Sequence, residues 1–136
     1  MLVKNENNEF VELKIYANEI LSEGLGDETV TEEDAENALA ELYLSYIKQQ
    51  PNTFLVNKSE NLASLTVESI NKVSLWEELR KIFCQLVNTE STFSKIIDYV
   101  LEAIAHIIPL GVFVKSLVKV IIKTFLKWGI GRLCPV

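Results

Sequence analysis

The chain has 136 residues, of which 49% are hydrophobic, and a formal net charge of −6. This length and composition predict one compact domain spanning residues 1–136, and the acidic balance excludes nucleic acid as an expected partner. One histidine and two cysteines without metal-ligand spacing predict neither a zinc site nor a disulfide framework, so we expect a reducing compartment.

Apolar residues at helical spacing predict two helices in the first third of the chain. The first covers residues 8–23 and is ended by Gly24. The second begins after Thr31, an N-cap residue followed by acids that suit the helix dipole, and ends before Pro51. The predicted core faces are Phe10, Leu13, Tyr16, Ala17, Ile20 and Leu21 in the first helix, and Ala35, Ala38, Leu39, Leu42, Tyr43, Tyr46 and Ile47 in the second.

The pattern is weakest between the second helix and Ser74. Residues 54–56 form a short apolar run without a partner strand, so we expect a loop or a short helix there. Residues 59–70 favour one poorly formed helix, because their serines and threonine lower helix propensity. Ser74 and Glu77 form a capping box that predicts a helix to Val87, whose inward face is Trp76, Leu79, Ile82, Phe83 and Leu86.

The segment 92–108 is apolar on almost every side and is the element around which we expect the chain to fold. A helix with so little polar surface is typical of the middle of a bundle, and the other helices are predicted to pack around it. Pro109 and Gly111 then turn the chain, and a last apolar helix is predicted over residues 112–128. The fold class expected is all-α.

Charge is unevenly divided along the chain. Residues 1–68 hold 4 basic and 14 acidic residues, whereas residues 69–136 hold 9 and 5. Each of the last two helices carries one narrow polar stripe, and antiparallel packing predicts a charged seam between these stripes. A solvated edge and a contact with anionic lipid both remain open for the lysine stripe. The predicted seam pairs are His106 with Lys115, Glu102 with Lys119 and Asp98 with Lys123, and Lys127 ends the stripe.

No constellation of residues indicates catalysis. His106 has no second histidine, nucleophile motif or phosphate-binding loop to work with, so we predict no enzyme, metal or cofactor. Its position near a helix end favours contact with backbone carbonyls. No apolar run reaches the roughly 20 residues that a spanning helix needs, and no secretory signal or stable membrane anchor is predicted.

The run from Trp76 to Val100 resembles, without a gap, the fourth and fifth helices of Bcl-2 family apoptosis regulators. The family signature Asn-Trp-Gly-Arg is matched there by Thr92, Phe93, Ser94 and Lys95, each changed conservatively. Residues 10–24 are similar to the family's first helix, and residues 128–132 faintly resemble its last motif. The Leu-x-x-x-Gly-Asp of the family's death motif is missing from the second helix. A short chain of this kind looks most like a virus-encoded anti-apoptotic member.

The resemblance implies a Bcl-2-like bundle that binds the amphipathic death-motif helix of pro-apoptotic family proteins in an apolar groove. It implies action in the host cytoplasm, with mitochondria reached through the partner, and Lys95 in the role of the signature arginine. A homodimer through the groove is also expected. The alternative is a membrane-inserting or pore-forming bundle that uses the same two apolar helices. The groove, called the trough below, is implied to comprise Leu42, Tyr43, Tyr46, Ile47, Phe54, Leu79, Ile82, Phe83, Leu86, Ser94, Lys95 and Ile97.

Overall fold

A computed structural model describes residues 1–49, 65–88 and 92–134 of the chain. Its described part is mostly helical, which confirms the prediction of a helical bundle, and it adds two short strands that were not predicted. None of its helices is both long and apolar enough to cross a bilayer. The elements are β1 (Leu2–Lys4), β2 (Phe10–Glu12), α1 (Leu13–Glu23), α2 (Glu32–Lys48), a 3-10 turn (Val67–Ser69), α3 (Lys72–Leu86), α4 (Phe93–Ile107) and α5 (Lys115–Leu133).

The first helix begins later than predicted, because β2 pairs with β1 as an antiparallel hairpin before α1 starts. Val3 lies opposite Val11 in this hairpin, and Asn8, with φ of 63°, helps to close the turn between the strands. Successive strand residues point to opposite faces, so Val3 is buried and Phe10, predicted to be core, is 51% exposed. Leu21, also predicted on the core face, is exposed on α1.

The hairpin holds the connection between α4 and α5. The backbone N–H of Phe113 donates to the carbonyl of Lys4 over 2.8 Å, and the Tyr16 hydroxyl donates to the carbonyl of Phe113 over 3.0 Å. Glu6 accepts a hydrogen bond of 2.6 Å from the backbone N–H of Lys115, which satisfies one of the free N–H groups at the start of α5. Burial raises the pKa of Tyr16 well above its usual value, so this hydroxyl stays protonated and able to donate.

The helix-end signals read from the sequence are confirmed in two places and wrong in a third. Gly24 ends α1 with φ of 84°, and Thr31 and Asp34 form a reciprocal capping box at the start of α2. Thr92, which was not predicted as a cap, caps α4. Ser74 was predicted to cap α3, but that helix starts at Lys72. The preceding Asn71 is the cap, since its side chain accepts from the backbone N–H of Ser74 over 3.1 Å.

The apolar helix α4 lies in the middle of the bundle, as predicted, in contact with α1, α3 and α5. Ile97, Val100, Leu101, Ala103 and Ile104 are buried along it. Its first residue, Phe93, which matches the tryptophan of the family signature, is 55% exposed. Against α5, Trp76 and Phe83 of α3 meet the ring of Phe125 edge-on, with centroids 5.3 and 4.7 Å apart.

The last helix is displaced from its predicted bounds at both ends. It starts at Lys115, since Val112 and Phe113 are occupied by the contact with β1, and it continues past Trp128 to Leu133. Gly129 has φ of 75° and ψ of 166° inside this span, so the helix is kinked there. A glycine tolerates this conformation at no steric cost, which explains why a break does not end the element.

The extra turn overturns the cysteine prediction, because Cys84 and Cys134 form a disulfide with a Cα–Cα distance of 5.5 Å. Their separation of 50 residues gave no sequence signal, and only the kink at Gly129 returns the chain to α3. The expectation of a reducing compartment rested on unpaired cysteines and loses that support. The disulfide joins the second half of α3 to the residue that follows α5.

Predictions for the segment between α2 and α3 are only partly covered. Phe54 and its apolar run, and residues 59–64 of the predicted poor helix, lie outside the described residues. The described remainder of that helix contains the 3-10 turn Val67–Ser69 instead of α-helix, and Ile70 is half-buried after it.

Candidate functional site

The trough residues lie on three successive neighbours in the bundle, since α2 packs on α3 and α3 packs on α4. The structure separates them by exposure. One group is covered completely and one group is half-buried, while Lys95 is exposed and Phe54 lies outside the described part of the chain. The covered residues are Leu42, Leu79, Phe83 and Ile97, and the half-buried residues are Tyr43, Tyr46, Ile47, Ile82, Leu86 and Ser94.

The covered group is part of the core. Leu79, Phe83 and Ile97 each have 0% exposure and Leu42 has 1%, so no partner can touch these side chains while the helices stay in place. Interior side chains are close-packed, and access to them requires the helices to move apart. The surface available in this conformation is therefore formed by the half-buried group.

A depression of about 330 Å³ opens between α2 and the start of α3. Tyr43 lines one side of it, and Ile70 and Leu75 supply apolar surface on the other. Leu75, Ile82 and Leu86 follow one another at spacings of seven and four residues, so they lie along one line of α3. The depression therefore continues the half-buried line of the trough toward the start of α3.

Sequence reasoning missed Ile70 and Leu75 as trough residues. Leu75 was not among the residues predicted to face inward, and the helix that carries it begins at Lys72, before the predicted cap at Ser74. The signal that could have found it is the spacing of Leu75, Ile82 and Leu86.

Lys95 stands at the start of α4 with its side chain exposed. Its backbone N–H donates to the Thr92 side chain over 3.3 Å, and within the described residues its ammonium group forms no ion pair. The next acidic residue of the stripe, Asp98, is paired with Lys14 of α1 at 3.1 Å. Asp98 is therefore compensated by α1 and does not pair with Lys123 as the seam predicted.

Ser94 is oriented toward α1, since its hydroxyl also accepts from Lys14 over 3.1 Å. The side chain of Asp98 is only 13% exposed, and its second oxygen has no hydrogen-bond partner among the described residues. Lys14 of α1 therefore binds both Ser94 and Asp98, which lie one helical turn apart on α4. Of the two signature positions, Ser94 is bound to Lys14, whereas Lys95 is exposed and has no ion pair within the part of the chain that the structure describes.

The predicted seam between α4 and α5 is wrong. Lys115 pairs with Glu23 and Glu19 of α1 at 2.6 and 3.0 Å, and Lys119 pairs with Glu23 at 2.8 Å. These contacts lower the pKa of Glu23 to about 2, first through the hydrogen bonds from the two lysines, and they raise the pKa of Lys115. The lysines of α5 thus pair with acidic residues of the first half of the chain, and these acids lie on α1 instead of α4.

His106 also falls outside that seam. Its Nδ1 lies 2.8 Å from the carbonyl oxygen of Glu102, one turn earlier in α4, and its side chain is exposed. The sequence predicted a contact with the free carbonyls of the last turn, whereas the carbonyl of Glu102 lies before that turn of α4. In the described ranges, no three potential metal-ligand side chains come together.

The site that the described residues offer is thus an apolar line with Lys95 at its α4 end, a cation that forms no ion pair within those residues. Comparison with protein-family models, curated proteins and solved structures finds no match to this chain in any of the three.

Proposed function

We propose that this chain is a Bcl-2-like inhibitor of host-cell apoptosis that sequesters the amphipathic death-motif helix of pro-apoptotic Bcl-2 family proteins. The observation that carries the proposal is the half-buried apolar line of Tyr43, Ile82 and Leu86 on neighbouring helices, with the exposed ammonium group of Lys95 on the adjoining α4. The helical bundle around an apolar central helix and the resemblance of residues 76–100 to the family's fourth and fifth helices support it.

Helix-in-groove recognition suits such a surface. An amphipathic helix presents apolar anchors at spacings of three and four residues, and each fully buried Leu- or Phe-sized anchor contributes about 1.5–3 kcal/mol. Association costs on the order of 4–15 kcal/mol in lost freedom, so one or two anchors on the open line do not suffice for tight binding. The partner must also use part of the covered surface.

The covered residues Leu42, Leu79, Phe83 and Ile97 supply that surface once α2 and α3 separate. Binding is then coupled to a rearrangement of the bundle. The apparent affinity is reduced by the fraction of molecules in which the helices have separated, so partners that make the strongest contacts are favoured over weaker ones.

Lys95 adds direction to the apolar contacts. It is the position that would pair with the aspartate carried by the partner's death helix. An ammonium group is a point charge without the bidentate fork of arginine, so this pair fixes register less strictly than the family's arginine does. A chain with this activity acts in the host cytoplasm and reaches mitochondria through its bound partner.

The direct test is calorimetric titration of the protein with a panel of death-helix peptides. We expect at least one peptide to bind in plain buffer, and Lys95→Glu to weaken it by about 1 kcal/mol or more through like-charge repulsion with the peptide aspartate. The matched control is Lys127→Glu, which makes the same charge change at an exposed position on α5 and should leave binding unchanged.

A charge-reversed peptide, with its aspartate replaced by lysine, should recover affinity for Lys95→Glu and lose it for the wild type. Failure of every peptide to bind, to the oxidised and to the dithiol-reduced protein alike, would refute the proposed function. Equal affinities of Lys95→Glu and Lys127→Glu would remove Lys95 from the site and leave the apolar contacts to be tested separately.

A further inference from the structure

Residues 130–134 are set apart from the rest of α5, and we call them the strap. The left-handed backbone of Gly129 breaks the helix before them, and the guanidinium of Arg132 lies 4.3 Å from the ring of Trp128 across this break. A single helical turn is not stable by itself, because the cost of nucleating a helix exceeds what one turn returns. The strap therefore keeps its position through contacts with the rest of the protein.

Those contacts fasten the strap to α3. Cys134 is joined to Cys84, the Arg80 side chain donates to the carbonyl of Leu133 over 3.1 Å, and the Leu133 side chain is 2% exposed. The Arg80 side chain also donates to the carbonyl of Arg132 over 3.5 Å, and its buried Nε has no hydrogen-bond partner among the described residues. The disulfide adds a covalent link between the strap and α3.

The helix α3 forms one wall of the trough. The strap packs on the face of α3 that points away from the trough, so it does not cover the trough residues of this helix. Arg80 and Cys84 are four residues apart and share one face of α3, whereas Ile82 and Leu86 fall on the opposite side of the helical wheel. The first half of α3 is held separately, because the Trp76 indole donates to Glu32 over 2.9 Å. The helix α3 as a whole packs on α2 and α4, and Phe83 in its second half meets Phe125 of α5. The strap adds a covalent fastening to this packing.

We propose that the Cys84–Cys134 disulfide is a redox-controlled tether on the wall of the trough. While it is oxidised, the strap holds the second half of α3 in the bundle and keeps Leu79 and Phe83 covered. When it is reduced, the strap leaves α3, the wall moves more freely, and the covered surface becomes available. The consequence for peptide binding rests on the proposed function, whereas the effect on α3 does not.

A dithiol reductant supplies the chemistry. Both cysteines are half-buried, so a small reductant can reach the bond. One of its thiolates attacks a disulfide sulfur, which breaks the S–S bond and forms a mixed disulfide, and its second thiolate then displaces the protein sulfur. The two cysteines end as thiols with the two electrons and two protons that the dithiol has lost, and the dithiol ends as a disulfide.

The test compares oxidised and dithiol-reduced wild-type protein by amide hydrogen exchange and by peptide titration. We expect exchange in residues 80–86 to accelerate by about tenfold or more on reduction, while residues 72–76 change much less. The reduced protein should bind a death-helix peptide roughly tenfold more tightly, because the helices have separated in a larger fraction of its molecules. The control is the double variant Cys84→Ser with Cys134→Ser, which should behave as reduced protein whether or not the dithiol is added.

Each other outcome gives a definite answer. Equal exchange of residues 80–86 in both forms would refute the proposal that the disulfide restrains α3. Loss of the helical circular-dichroism signal on reduction would also refute it, since the disulfide would then be needed for the whole fold. Faster exchange with equal peptide affinity overturns the link to the trough. Faster exchange with no peptide bound by either form supports the tether on α3 and refutes the proposed function instead.

Discussion

At the scale of single residues, the contacts between the acidic and basic halves of the chain decide how α1 is oriented. Glu23 accepts from both Lys115 and Lys119, and its pKa of about 2 reflects this double hydrogen bonding. Its side chain is 44% exposed, so solvent screens the attraction and the ion pairs direct packing more than they stabilise it.

The lowered pKa of Glu23 predicts a specific acid sensitivity. A carboxyl group whose folded-state pKa is lowered stabilises the fold above its unfolded value, here 4.5, and loses that contribution as the pH falls toward 2. We expect Glu23→Gln to be less stable than the wild type at pH 7 and to show a flatter fall in stability between pH 4.5 and 2. Urea unfolding at a series of pH values measures this.

The control for this prediction is Glu41→Gln, an exposed position on α2, which should retain the steeper wild-type profile. Parallel profiles for Glu23→Gln and the wild type would show that the two lysines do not stabilise the fold through Glu23.

The sequence predicted which residues carry the charge but not which residues they meet. The spacing of Lys115 and Lys119 along one helix face is visible in the chain itself, and so is the excess of acid in the first half. The seam was predicted by pairing residues of α4 and α5 as antiparallel neighbours, and this procedure considers no other helix. Contacts of α5 with Glu19 and Glu23 depend on how α1 crosses the bundle, which helical periodicity does not determine.

At the scale of elements, the turn between α4 and α5 leaves no space for a side chain at Gly111. An added Cβ would lie 3.0 Å from both the Cβ and the carbonyl oxygen of Ile108, and 3.1 Å from the ring of Tyr46. Gly131, inside α5, has nothing within 4 Å of the same position. Two glycines of one chain thus face opposite steric conditions.

We expect Gly111→Ala to lower the free energy of unfolding by about 1–3 kcal/mol, because neither the backbone nor the Tyr46 ring can give way without cost. Gly131→Ala is the matched control and should raise it by up to about 1 kcal/mol, since alanine is the better helix former. Chemical denaturation measures both values. Equal effects of the two substitutions would mean that the turn adapts to a methyl group.

Elements whose ends carry a strong local signal were the predictable part of the fold. Thr31 and Gly24 act within three or four residues of themselves, so the sequence is sufficient to place them. The β-hairpin and the kinked turn after Gly129 depend on distant contacts. Phe10 fits a helical period as well as a strand, and only its pairing with Lys4 decides between them.

At the scale of the whole molecule, the apolar surface of α4 was enough to predict its central position in the bundle. The sequence did not predict which trough residues are covered by other helices. Periodicity places Leu79, Phe83 and Ile82 on one face of α3, and the packing of α2, α4 and α5 around that helix covers the first two and leaves the third half-buried. The resemblance implied one continuous groove. In the structure its floor lies beneath the surface.

The half-buried apolar line also predicts self-association. Apolar patches on soluble proteins usually meet a partner, and a two-fold isologous dimer is the commonest closed form. We expect sedimentation velocity to show a dimer at tens of micromolar protein, which a saturating death-helix peptide converts to a monomer–peptide complex. A monomer at that concentration would refute the dimer, and a dimer that survives peptide saturation would place its interface away from the trough.

The central claim is that a partner helix binds between α2, α3 and the start of α4, and peptide-induced changes in the amide NMR spectrum test it most directly. Titration of isotopically labelled protein with an unlabelled death-helix peptide should shift the resonances of Tyr43, Leu75, Ile82, Leu86 and Lys95 most strongly. Shifts concentrated on α1 and the exposed face of α5, or no shifts at saturating peptide, would contradict it.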